Sequence, residues 1–345
     1  MQIRKILVVI AATMSMGLST VVQAKHLAER EIPSPQMASP ALQQKENAGS
    51  PAVWNSHPKN AEEWKHLVQL AAQQEAMLAK KHIERFHVQV HQASVNGVST
   101  FELIPPTLSD KHHDRILLHI HGGGYVFHPG YAALPEAVLA AGISGYKVIS
   151  VDYRMPPDFP YPAALDDVMA VYRALLKTYP AEKIGVFGTS TGGGMTLALV
   201  LKAKLEKLPL PGAIAPGTPW SDMTKTGDSY FTNEGIDNLL VSYDGWLGQA
   251  AELYANGHDL KDPMLSPVYG DVTGFPPTFL TSGTRDLFLS NTVRIHQKLR
   301  QAGVKADLMV FEGMSHAMYY LMSPDTPETA FHFKELGRFF DENLK

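Results

Sequence analysis

The chain has 345 residues, 45% of them hydrophobic and 19% charged, which is enough to bury a full core and close to the upper size of one domain. A formal net charge of −4 without any basic run leaves it nothing with which to hold nucleic acid or an anionic membrane surface. The absence of cysteine excludes a thiol nucleophile, a Cys-ligated zinc, a lipid-bearing N-terminal Cys and disulfide support for the core.

Residues 1–24, MQIRKILVVIAATMSMGLSTVVQA, set Arg4 and Lys5 ahead of an apolar stretch from Ile6 to Val22 that closes on Val22-Gln23-Ala24. That is the pattern of a signal peptide cleaved after Ala24. The alternative, a retained anchor, has to contend with Ser, Thr and Gly inside a stretch shorter than the roughly 20 residues of a membrane span. Cleavage implies an exported protein, periplasmic or secreted, without stable membrane association and, once Arg4 and Lys5 are gone, with a net charge of −6. Residues 25–60, rich in Pro, Ser, Ala, Gln and Asn and without hydrophobic period, read as a loosely ordered arm. In residues 61–82 the spacing of Trp64, Leu67, Leu70, Ala71 and Met77 predicts an amphipathic helix, a candidate lid that closes an N-terminal unit 25–82.

From residue 83 to 345 strands and helices alternate. ERFHVQVHQ and VSTFELI have period-two patterning and predict an antiparallel start. ILLHI, YKVISVDY, KIGVFGTS, GAIAPGT, PTFLTSG and ADLMVFE are apolar runs expected of strands buried on both faces. Helical segments PAALDDVMAVYRALLKTY, TGGGMTLALVLKAKLEKL, NTVRIHQKLRQAG and PETAFHFKELGRFFDENL fall between or after them. The fold class is therefore α/β, with a mostly parallel sheet covered by helices, and residues 221–265 read as an insertion carrying Tyr230, Trp246 and Tyr254.

The sharpest chemical signal is Gly188-Thr189-Ser190-Thr191-Gly192, which follows the strand KIGVF and opens the helix TGGGMTLALVL. A GxSxG in that setting is the strand-turn-helix elbow that exposes a nucleophilic serine, whereas alone it would be an ordinary Gly/Ser turn. Serine needs a base to take its proton and an acid to orient that base. On such a sheet these follow in the order acid, then histidine, which selects Asp286 after PTFLTSGTR and His316 in EGMSHAM. Taken singly, Asp286 could be an N-cap and His316 one of 15 histidines. Acyl transfer also needs N–H donors for an oxyanion, and the HGGG run after ILLHI offers Gly122 and Gly123, joined by Thr191, with His121 as an organiser of the loop. A metal reading of His112, His113, His119 and His121 lacks a carboxylate motif of the HExxH type, and no GxGxxG or GxxxxGK[ST] supports a nucleotide site.

Through HGGGYV, VDYRMPPDFPYPAALDD, GTSTGG, DPMLSPVYGDVTGFPPTFLTSGTRDLF and SHAM, about 200 residues resemble the bacterial hormone-sensitive-lipase-like esterases of the α/β-hydrolase superfamily. The resemblance implies an α/β-hydrolase fold with a helical cap partly from the N-terminal segment. It also implies a serine carboxylesterase that needs no cofactor, with Ser190 as nucleophile, Asp286 as acid, His316 as base, and Gly122, Gly123 and Thr191 as oxyanion donors. The chain departs from the commonest elbow of the family in Thr189 and Thr191, the latter expected to crowd the acyl pocket. Tyr125, Phe127, Trp220 and Met318 stand beside the motifs as candidates to bind substrate, though aromatic residues are as often core. Glu62, Glu63, Lys65, Lys80 and Lys81 on the lid favour a soluble short- to medium-chain ester over an interfacial lipid. A lactone or amide hydrolase with the same triad and a binding protein without turnover are the alternatives, and a homodimer is compatible with the sequence.

Overall fold

Eight strands form one sheet in the order β1-β2-β4-β3-β5-β6-β7-β8: β1 (Gln89–Val95), β2 (Val98–Ile104), β3 (Ile116–Ile120), β4 (Val148–Val151), β5 (Ile184–Thr189), β6 (Ala213–Gly217), β7 (Thr278–Gly283) and β8 (Ala306–Phe311). The structure, a computed structural model, describes residue 29 and residues 31–345. The expected signal peptide, residues 1–24, lies outside the described residues, and Pro33–Lys345 form one packed unit. Among the described residues no helix is long and apolar enough to cross a membrane.

The hairpin β1–β2 turns on Asn96 and Gly97, both at positive φ, with Val95 opposite Val98, as a two-residue turn matched to strand twist requires. β2 runs antiparallel to β4, and every later pairing is parallel. β3, β5, β6 and β7 are buried throughout, and along β3 Leu118 joins one apolar cluster while Leu117 joins another, so the sheet separates two cores. Helices α4 (Ala163–Leu175), α5 (Thr191–Leu205) and α8 (Leu289–Gln301) belong to the first core, and α3 (Pro135–Ser144) and α10 (Pro327–Asn343) to the second.

The sequence expectations need four corrections. The first predicted strand begins too early, because the N-terminal helix α2 runs Ala61–Phe86 and stops only where His87 takes a left-handed conformation. Its buried stripe also differs, for Leu70 and Met77 are about half exposed. The inward positions are Trp64, Leu67, Ala71, Glu75, Ala79 and His82, two of them polar and therefore invisible to an apolar period. β8 is not buried on both faces, since as the edge strand it pairs with β7 alone and leaves Val310 exposed. The arm at 25–60 is ordered in part, forming α1 (Pro40–Glu46) and a 3-10 turn Ala52–Asn55, and α1 is capped by Ser39 Oγ accepting from Leu42 N.

The insertion after β6 holds two short helices, α6 (Ser229–Thr232) and α7 (Trp246–Ala255), and buries Tyr230, Trp246 and Tyr254. Its entry is fastened by the buried Asp222, whose carboxylate accepts from Arg294 Nη1 (2.5 Å), Tyr269 OH (2.9 Å), Thr224 N (2.9 Å) and Thr224 Oγ1 (2.6 Å). Removing one partner of such a group strands the rest, so Asp222→Ala is expected to cost about 3 kcal/mol. Urea unfolding of the purified variant measures this, with a shift below about 0.5 kcal/mol contradicting it.

Candidate active site

Ser190 stands between β5 and α5 with φ 63° and ψ −121°, a conformation that side chains avoid. The surrounding backbone holds it there. Ser190 N donates to Gly217 O (2.9 Å), and Ser190 O accepts from Gly194 N (2.9 Å) and Trp220 N (2.9 Å). The turn is tight enough that a Cβ on Gly188 would stand 2.0 Å from Ile120 O, and one on Gly192 1.9 Å from the same atom. These glycines let β5 and α5 meet β3 without a gap.

The HGGG loop shows the same crowding. A Cβ on Gly122 would lie 2.8 Å from Thr189 O and 3.2 Å from Ser190 Cβ, one on Gly123 2.7 Å from Phe127 O, and one on Gly124 2.5 Å from the Trp246 ring. Gly123 and Gly124, both at positive φ, line a cavity together with Ser190 and His316. Gly122 packs against the strand end, while the next two residues face the cavity, and among the described residues no backbone carbonyl takes the N–H of Gly122. Among the described residues no hydrogen bond takes the N–H of Gly123, Gly124 or Thr191. The Thr191 side chain is buried off the cavity wall, so the expected crowding of the pocket by it is absent. His121 stacks on Tyr153 with ring centroids 4.0 Å apart, and its Nδ1 donates to Gly122 O (2.7 Å). Burial holds its pKa well below the usual imidazole range, so it stays neutral and braces the loop.

Asp286 follows β7 and His316 follows β8, both on loops at the carboxyl ends of their strands. His316 Nδ1 donates to Asp286 Oδ1 (2.9 Å), which also accepts from Phe288 N (2.8 Å). Oδ2 accepts from Ser282 Oγ (2.7 Å) and Thr218 Oγ1. Burial by itself would raise the Asp286 pKa, but His316, Thr218 and the Phe288 N–H outweigh it and hold the carboxyl below its usual range. His316 Nε2 is buried without a hydrogen-bond partner among the described residues.

Two contributors carried no chemical signal in the sequence. Thr218 sits at the end of β6, where its strand-end position was the only hint. Asp237, inside the insertion, accepts from Leu287 N (2.7 Å) and His316 N (3.4 Å), tying the loops of Asp286 and His316 together. Its pKa is raised by burial and by the Asp286 charge, so of these two neighbouring carboxyls Asp286 is the one that ionises readily. Asp237, Asp286 and His316 also lie close enough to offer ligand atoms to one ion, yet His316 and Asp286 already satisfy one another. The remaining histidines diverge: His112 pairs with Asp341, and His119 with Ser150 and Glu136.

The cavity measures about 380 Å³ and its wall is mainly apolar. Phe127 lines it; Tyr125, Trp220 and Met318 do not. Trp220 is fully buried against Phe288 and donates from Nε1 to Tyr230 OH (3.1 Å), Tyr125 stacks on Tyr254 at 3.7 Å, and Met318 enters the second core. Leu239, Leu240 and Trp246 of the insertion and Leu70, Ala71 and Glu75 of α2 supply the wall instead. Both segments thus line the cavity at this end of the sheet.

The α/β hydrolase fold family matches residues 117–320. An acetyl-hydrolase of Streptomyces hygroscopicus is 30% identical over 233 residues, 67% of this chain and 76% of the relative. An esterase crystal structure superimposes with TM-score 0.90 at 43% identity, covering 93% of this chain and 99% of the other. That of an esterase from the bacterial hormone-sensitive lipase family gives TM-score 0.70 at 27% identity, over 80% and 98%.

Two measurements follow from the geometry. Glycine tolerates the backbone of Ser190, so Ser190→Gly is expected to relieve about 1–3 kcal/mol of strain and raise the thermal midpoint by several degrees; a lower midpoint would contradict the strain. Burial pushes the Glu75 carboxyl up from 4.5 to about 7, with Lys45 opposing. A raised carboxyl contributes fully below its unfolded value, and that contribution is lost as pH rises through about 7. Glu75→Gln should therefore stabilise the protein more at pH ~8 than at pH ~5, and equal effects at the two would refute the shift.

Proposed function

Belonging as it does to the α/β-hydrolase fold family, among its hormone-sensitive-lipase-like bacterial esterases, the chain is a carboxylic ester hydrolase, and we propose that it works through Ser190, His316 and Asp286 on short- to medium-chain esters. One observation carries this reading. His316, tied through Nδ1 to an ionised Asp286, leaves Nε2 unpaired while sharing a cavity wall with the strained Ser190.

In this mechanism Nε2 takes the proton of Ser190 Oγ as the oxygen attacks the ester carbonyl. Negative charge gathers on the carbonyl oxygen, where the N–H groups of Gly123, Gly124 and Thr191 receive it. His316 passes its proton to the departing alkoxide, and the acyl group remains on Ser190. Water, deprotonated by the same nitrogen, then attacks the acyl-enzyme, and as the acyl–Oγ bond breaks that proton passes to Ser190 Oγ, releasing the acid and restoring the serine. Acyl transfer of this kind requires no cofactor. A mainly apolar cavity of about 380 Å³ beside Ser190 supports an acyl group of short to medium length, and the export signal read in residues 1–24 supports action outside the cytoplasm.

The test is hydrolysis of nitrophenyl esters from acetate to palmitate. The expected result is highest kcat/KM at short or medium chains and a loss of at least about a thousandfold in Ser190→Ala. Unchanged turnover in that variant overturns the nucleophile. Leu239→Trp, by filling the wall, should shift preference toward acetate roughly tenfold, whereas Trp220→Phe should change stability and leave chain preference as it was. The reverse pattern would relocate the acyl site.

A further inference from the structure

The arm ahead of the cap reaches the loops that carry Asp286 and His316. Arg285 Nη2 donates to Pro33 O (2.5 Å), and Pro35 packs so closely on Gly313 that a Cβ there would come within 2.1 Å. Asn238 Nδ2, next to Asp237, donates to Lys45 O. At the end of α1 lies Glu46, only 8% exposed. Its Oε1 accepts from Ser315 N (2.8 Å) and its Oε2 from Ser315 Oγ (2.7 Å). Ser315 directly precedes His316 and is itself fully buried, and its Oγ accepts from Asn238 N (3.1 Å).

A buried carboxylate is costly unless its hydrogen bonds are good, and among the described residues this one has no cationic partner bonded to it. Burial is the largest influence on its pKa and raises it; the Ser315 donors and Arg285 oppose this, while Asp237 adds to it. A strap needed only to hold α1 down would not require that cost, since Ser39 already anchors α1 through Glu328, with Ser39 N and Oγ donating at 2.9 and 2.8 Å. What Glu46 does uniquely is grip the residue before His316. Asp237 takes the N–H of His316, and Glu46 takes the N–H of Ser315, so two consecutive amides of one loop are each held by a buried carboxyl.

We infer that Glu46 is a positioning residue for His316: the N-terminal segment fixes, through the paired bonds to Ser315, the loop that aims the imidazole at Ser190. The inference rests on the proposed triad. Without those bonds the base would be loosely aimed. Small errors in the placement of a catalytic group cost on the order of a hundredfold in rate.

The experiment compares the full chain with Glu46→Ala, Glu46→Gln and Ser190→Ala. Active serine is titrated with an organophosphonate and a thermal midpoint recorded for each variant, with assays well below that midpoint. Glu46→Ala should lower kcat per titrated serine by about tenfold or more with KM within about twofold, the signature of lost orientation rather than lost binding. Glu46→Gln, which can still accept from Ser315 N and donate to Ser315 Oγ, should recover most of that loss. A kcat per titrated serine within about twofold of the parent in Glu46→Ala overturns the inference, whatever happens to its midpoint, and so does a Gln variant as slow as the Ala variant. If Glu46→Ala does not fold, Ser315→Ala, lacking one of the two bonds, replaces it: a fall in kcat at constant KM supports the role and an unchanged kcat removes it. Retained hydrolysis in Ser190→Ala would instead remove the triad itself, so the two failures are told apart.

Discussion

The backbone at Ser190 is the constraint on which the rest of the site depends. A serine at φ 63° between a buried strand and a buried helix persists only because its neighbours leave no relaxed alternative. Gly188 and Gly192 press against Ile120 O, and Gly122 presses against Thr189 O. One set of close approaches therefore both strains the serine and brings the end of β3 beside it. The run of three glycines after β3 has its physical explanation here: strand end, Phe127 carbonyl and Trp246 ring each occupy the space where a side chain would be.

Around that fixed point the site is arranged by buried charge. Asp286 is satisfied on both oxygens by Phe288 N, His316, Ser282 and Thr218, so it can remain ionised although fully buried. Asp237 and Glu46 spend their acceptors on backbone and hydroxyl donors of the loops that bear Asp286 and His316. These contacts come from parts of the chain far apart in sequence, an N-terminal arm and an insertion between β6 and β7, and they converge on a loop of a few residues. The same two segments line the cavity, so what walls it also steadies the groups beneath it.

Much of this was legible in the residues. Strands buried on both faces show as apolar runs, and β2 and β3 fall where VSTFELI and ILLHI predict. The GxSxG turn, with a strand before it and a helix after it, and the order of Asp286 and His316 along the chain locate three groups that the fold brings to one end of the sheet. Ser, Asp and His are legible because each stands on the segment that follows a strand, and parallel strands end on the same side. Expectations failed where polarity and packing disagree: Glu75 and His82 lie on the inward stripe of α2, β8 is an edge, and Trp220 and Tyr125 turn into the core.

Local pattern alone thus determined the class of fold, the elbow and the chemical types that meet there, because hydrophobic period and turn chemistry act over a few neighbouring residues. Which glycines face the cavity, which leucines line it, and that Thr218, Asp237 and Glu46 converge near His316 were decided only by tertiary structure. Those relations join residues up to 269 positions apart, as Glu46 and Ser315 are, and a hydrogen bond over such a separation leaves no periodicity in the chain. It exists only once the sheet has brought the two segments together.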